Sequence, residues 1–186
     1  NGVVLFMPFD GSTNDYSGFS NDGTASGATF TDDSVMGLGA MSFDGSDDYI
    51  STSITGMSTT AGTVSLWIKP DSTDNMWFFT NKANINENIN MRINGANVDV
   101  WMERSDVAYN LITPIEGAGR WYHVVFTWEG DGAGSDDEIA LYIDGVLKGS
   151  ASNGNVFVSL SDTTYIGSAN VGTVNYDGKI DEVKIY

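Results

Sequence analysis

The sequence contains no cysteine. That excludes disulfides, thiol nucleophiles and thiolate metal sites at once. It holds a single histidine, so a hydrolase triad would depend on His123, and no Gly-x-Ser-x-Gly elbow accompanies it. Only three prolines interrupt the chain, and only eight lysines and arginines stand against 25 acidic side chains. The resulting net charge of −17 repels phosphate backbones and anionic lipid, which removes nucleic acid from the partner classes. No run approaches the ~20 apolar residues of a bilayer span, so membrane insertion is not expected. No basic leader precedes the apolar opening after Asn1, and the expectation is a mature or excised domain.

What is present is the material of one β-rich domain over residues 1–186. The chain is 41% hydrophobic, long enough to bury a proper core without staples. Its apolar runs are short and carry no 3.6-residue period; clusters of Gly, Asn, Asp and Ser separate them, as in sandwiches and barrels. Strands are predicted at Val3–Phe9, Ala40–Phe43, Tyr49–Ser51, Thr63–Ile68, Met76–Thr80 and Ile89–Ile93. Further strands are predicted at Val98–Glu103, Trp121–Glu129, Ile139–Ile143, Val146–Ser150, Thr164–Ile166 and Lys179–Tyr186. Asp144-Gly145, between two of these runs, is a strong hairpin signal. In the clearest strand Tyr122, Val124, Phe126 and Trp128 share one face and should line the core. Trp121, His123, Val125 and Thr127 share the other, and His123 reads there as a packed, hydrogen-bonded strand residue.

Six segments in order resemble the laminin-G-like branch of the concanavalin A-like lectin/glucanase superfamily. They are LFMPFDGS, DYSGFSNDGT, AMSFDGSDDYI, TVSLWIKP, WYHVVFTWEG with IALYIDGVLKGS, and YIGSANVGTVNYDGKIDEVKIY. The resemblance implies an all-β jelly roll of two antiparallel sheets, with the first and last strands paired. It also implies an accessory module of a larger multidomain protein, extracellular or at the cell surface, with a glycan or extracellular polysaccharide as partner.

The resemblance further implies a calcium site. Asp10 and Asp181 would supply side chains, with side-chain or carbonyl oxygens from Asp15, Ser17, Asn21 and Gly23. Such a set reaches the ~6–8 oxygens that calcium takes. The alternative is that Asp15, Asn21 and Gly23 build turns. By simple alternation Asp181 shares a face with Val183 and Ile185, where a carboxylate is costly unless paired. Asp44, Asp47 and Asp48 form a second acidic knot, either a tight turn or an auxiliary metal site. Asp131–Glu138 reads as an exposed loop.

Glucanases of this superfamily carry a Glu-x-Asp-x-x-Glu strand pattern, which is absent here, so no enzyme is expected. Sugar binding needs aromatic faces ringed by amides and carboxylates. Trp77, Asn84, Trp101, Glu103, Arg104 and Tyr109 are the candidates, with Asn86, Asn88 and Arg92 nearby. Core packing is the competing role for Trp77 and Trp101, and a surface pair with Asp106 for Arg104. Alternation of Val98, Val100 and Met102 toward the core would leave Trp101 on the outer face with Glu103. The expected function is a non-catalytic, calcium-binding, carbohydrate-recognition module. The alternative is a structural or adhesive surface module with calcium as its only ligand.

Overall fold

The short apolar runs become strands in the computed structural model, which describes all residues except 1, 85, 105–106, 131–137, 153–156, 158, 162 and 172, and the backbone alone of Arg104. In chain order they are β1 (Leu5–Met7), β2 (Gly23–Ser26), β3 (Thr29–Thr31), β4 (Ala40–Asp44), β5 (Tyr49–Ser53), β6 (Ala61–Pro70), β7 (Met76–Asn84) and β8 (Glu87–Ile93). They continue with β9 (Asn97–Arg104), β10 (Val107–Pro114), β11 (Tyr122–Glu129), β12 (Glu138–Ile143), β13 (Val146–Ser152), β14 (Thr163–Ile166) and β15 (Asp177–Ile185). No helix occurs among the described residues. The expected loop at Asp131–Glu138 lies outside them, apart from Glu138, which opens β12.

Two antiparallel sheets form a sandwich. One runs β13-β12-β11-β6-β15-β4-β3, with β1 also on β15; the other runs β10-β9-β8-β7-β14-β5-β2. The first and last strands pair as expected, Leu5 opposite Ile185 and Met7 opposite Val183. Asp144 and Gly145 both take positive φ (53° and 76°), the signature of the tight turn that joins β12 to β13.

Alternation builds the core between the sheets. Tyr122, Val124, Phe126 and Trp128 are buried from one sheet, and Ile89, Met91, Ile93, Val98, Val100 and Met102 from the other. Burying each such side chain contributes roughly 1.5–3 kcal/mol. Gly62 is required by this packing: the Trp128 ring comes within 2.1 Å of where its Cβ would sit. Trp128 in turn donates its indole N–H to the Ser58 carbonyl at 3.1 Å.

The last strand departs from simple alternation. A bulge between Asp181 and Lys184, with Glu182 at φ 52°, inserts one residue into the ladder. Ile180, Val183 and Ile185 face the core, but Asp181 sits opposite Trp67 on the outer side of its sheet. The expected face-sharing with Val183 and Ile185 is therefore corrected. Asp181 is fully buried all the same, because the 32–39 segment folds over it: Oδ2 accepts the amides of Val35 (3.0 Å) and Met36 (3.2 Å), and Oδ1 that of Glu182 (2.8 Å). Burial pushes its carboxyl above the usual carboxylate range, and these amides only partly oppose that push.

Candidate functional site

The outer face of the seven-stranded sheet collects polar and aromatic side chains in register. Pairing aligns Asn110, Trp101, Asn90, Thr80, Tyr165, Ser51 and Thr24 in a single row from β10 to β2. On one side of this row lie Ile112, Asp99, Arg92 and Trp77; on the other, Ala108, Glu103, Asn88 and Lys82. Trp101 is 36% exposed, while Asn90 and Thr80, the small residues mid-row, are 5% and 2% exposed.

Around Trp101 the polar groups are hydrogen-bonded to one another. Asn90 donates to Asn88 Oδ1 at 2.6 Å, and Asn88 donates to Glu103 Oε2 at 3.1 Å. Arg92 grips Asp99 Oδ2 with two nitrogens, at 2.8 and 2.6 Å, and its guanidinium lies 5.6 Å from the Trp77 ring. Asp99 Oδ1 and Thr80 Oγ1 are buried without a hydrogen-bond partner among the described residues. Buried oxygens left this way are uncommon.

The structure brings only part of the expected glycan set together. Trp101, Glu103 and Trp77 lie on this face, with Trp101 outward as alternation requires. Asn84 stands at the end of the β7–β8 hairpin, accepting the Asn86 amide at 2.7 Å, away from the row. Tyr109 pairs with Met102 and packs against the core, so it belongs to the inner side. Side-chain contacts of Arg104, and its suggested pairing with Asp106, lie outside the described residues. Sequence patterns do not single out Tyr165, Tyr49 or Ser51, yet register places Tyr165 and Ser51 in the same row as Trp101. Their neighbourhood is a surface cavity of about 430 Å³.

The expected calcium ligands fall into two separate knots. Asp10 accepts the amides of Leu38 and Gly39, so it and Asp181 both hold the 32–39 segment. Asp15 accepts the amides of Phe6 (2.9 Å), Ser17 (2.8 Å) and Asn21 (2.9 Å) and the Ser17 hydroxyl (2.7 Å). Burial opposes the Asp15 charge, but these hydrogen bonds outweigh it and hold the carboxyl below its usual range. Asn21 ties Val4 and Thr55 together, and the Gly23 carbonyl accepts from Thr13. A calcium ion at Asp15 would face N–H and O–H donors instead of open oxygens, so this arrangement does not fit one. Among the described residues, the acidic side chains that converge within 4.8 Å are Asp44, Asp47 and Asp48. Asp48 Oδ2 there accepts the Asp44 amide at 2.9 Å, as a turn would have it.

His123 lies on the outer face of the other sheet, stacked on Trp67 at 4.8 Å and hydrogen-bonded to Ser65 Oγ at 2.9 Å. Burial pushes its pKa below the ordinary value, Asp144 opposes this and Lys184 adds to it. As pH falls below the unfolded value of ~6.5, the unfolded chain therefore takes up the proton first and stability drops. Replacing His123 with Gln is expected to flatten that part of the stability–pH curve, as read by urea titrations between pH 7.5 and 5. An unchanged slope would mean that His123 titrates normally in the fold.

The chain belongs to the concanavalin A-like lectin/glucanases superfamily: a laminin-G-type family model carrying that description matches residues 44–186. No curated protein sequence matches at a significant level. Among solved structures, the chain is similar over its whole length to domain 4 of AbnA, an extracellular arabinanase from Geobacillus stearothermophilus solved with arabinotriose. The TM-score is 0.81 at 24% identity, with 92% of that chain covered. It is also similar to the binding domain of botulinum neurotoxin serotype D, with a TM-score of 0.79 at 17% identity. The serotype G binding domain gives 0.76 at 15%. The chain spans about half the length of each toxin structure (48% and 47%). At these identities the likeness establishes the fold. No helix among the described residues is long and apolar enough to cross a membrane.

Proposed function

We propose that this domain is a non-catalytic carbohydrate-recognition module that binds glycan on the outer face of its seven-stranded sheet, as an extracellular part of a larger protein. The observation that carries this reading is Trp101: a partly exposed indole on a rigid strand, with Asn110 and Asn90 beside it in the row and Glu103 two residues along. Such a ring stacks on the C–H face of a sugar at small entropic cost, while amides and carboxylates take its hydroxyls. The arabinotriose held by AbnA domain 4 supports a sugar ligand for a domain of this shape.

Support for the non-catalytic half comes from the carboxylates. Hydrolysis on such a face needs two that are free to act as nucleophile and acid. Here Asp99 is clamped by Arg92, Glu103 is bonded by Asn88, and the indole of Trp101 stands between them on the same strand face. A glycan array followed by a reducing-end assay on the bound sugars tests both halves. Binding without new reducing ends is expected; released ends would make the domain an enzyme, and no binding across a broad array would remove carbohydrate as its ligand.

A further inference from the structure

We propose that the binding surface does not end at Trp101 but continues across four strands to a second aromatic platform at Tyr165, so that the ligand is an internal stretch of a neutral polysaccharide lying across the strands. This rests on the carbohydrate reading above and names its ligand class. The register carries it. Trp101 on β9 and Tyr165 on β14 occupy the same cross-strand row, joined through Asn90 and Thr80. Three strand spacings separate them, about 14 Å, the reach of a short oligosaccharide and not of one ring.

The relief along the row suits a chain. Between the two rings of Trp101 and Tyr165 stand only Asn90 and Thr80, which are smaller and nearly fully buried. Tyr49 packs edge to face on Tyr165, with centroids 6.0 Å apart at 68°, which holds the Tyr165 ring in place. Beyond Tyr165 the row continues through the hydroxyls of Ser51 and Thr24 into the cavity of about 430 Å³. Among the described residues the two ends of the row, Asn110 and Thr24, are exposed, which suits a passing chain; a chain-end reader would need a wall there.

Charge selects among polysaccharides. The chain carries −17; of the described cations on this face, Arg92 is already paired with Asp99, and Lys82 stands to one side of the row beyond Asn88. Asp22 lines the Tyr165 cavity and Glu103 flanks Trp101, so a uronate would meet carboxylates at both ends. Hydroxyl donors meet acceptors there instead.

The test is calorimetry with arabino-, xylo- and cello-oligosaccharides from dimer to hexamer, beside oligogalacturonates of the same lengths, on the wild type and on Tyr165→Ala, Ser51→Arg and Trp101→Ala. Affinity of the wild type for a neutral series is expected to climb until the sugar spans both rings. Tyr165→Ala should then lose about tenfold on the hexamer and little on the dimer, whereas Trp101→Ala weakens both. Ser51→Arg leaves both rings intact and should block long sugars only, which keeps the proposal testable if Tyr165→Ala folds poorly. Hexamer binding unaffected by Tyr165→Ala and by Ser51→Arg, with Trp101→Ala still damaging, would confine the site to Trp101 and overturn the extended row while leaving the carbohydrate reading in place. Tighter binding of oligogalacturonates would overturn the neutral assignment. Absence of binding by the wild type to every sugar would overturn the carbohydrate reading and this inference with it.

Discussion

Asp181→Ala is expected to destabilise the domain by about 3 kcal/mol, the upper range for a single side chain that is not a large core residue. The carboxylate is fully buried and accepts three backbone amides: two from the 32–39 segment, which it pins over the sheet, and that of Glu182 within the bulge. Alanine leaves those donors without their acceptor and opens a void beneath the segment. Asp47→Ala, at an exposed turn position, should stay within ~0.5 kcal/mol. Because burial raises the folded pKa of Asp181 above its unfolded value, the native state takes the proton first as pH falls. The gap between wild type and Asp181→Ala should therefore widen from neutral pH toward about 4. Denaturant titrations of the three proteins read this directly. Equal midpoints for Asp181→Ala and Asp47→Ala would show that the amide clamp contributes nothing.

Trp101→Ala should have the opposite profile. Loss of the stacking surface is expected to weaken the best glycan by about 2 kcal/mol, roughly thirtyfold. Stability should hardly change, because the indole lies on the outer face while its neighbours Val100 and Met102 fill the core. A fall in melting temperature comparable to that of a core truncation, with affinity intact, would make Trp101 a packing residue and move the binding site elsewhere.

Where a strand alternates cleanly, its two faces are legible from residue order alone. Val98, Val100 and Met102 against Trp101 is one case, and Tyr122 through Trp128 is another. The turn at Asp144-Gly145 is legible for the same reason: its chemistry is local. β10 is not, because its apolar residues fall on both faces, Tyr109 and Leu111 inward and Ile112 outward, while Val107, on the inner side, is exposed at the strand's end, so no period of two shows. β2 and β3 are three or four residues long and mostly polar. Simple alternation misplaces Asp181 because a single inserted residue reverses the faces, and nothing in KIDEVKIY announces the bulge. The oxygen-rich loop at Asp15 has a composition that suits calcium and turns equally. Only the geometry shows its oxygens already bonded to amides. Tyr165 is not legible as a site residue because its tie to Trp101 is one of register across four strands, which local patterns do not encode.

Glycan binding on the outer face of the seven-stranded sheet is tested most directly by an amide chemical-shift titration of the domain with the tightest-binding neutral oligosaccharide. Perturbations should centre on Trp101, its indole N–H included, and spread through Asn90, Thr80 and Tyr165 on the outer face of the seven-stranded sheet. Saturable shifts confined to the 44–48 loop, or to the face around His123, would place the sugar elsewhere and rule out binding on this face.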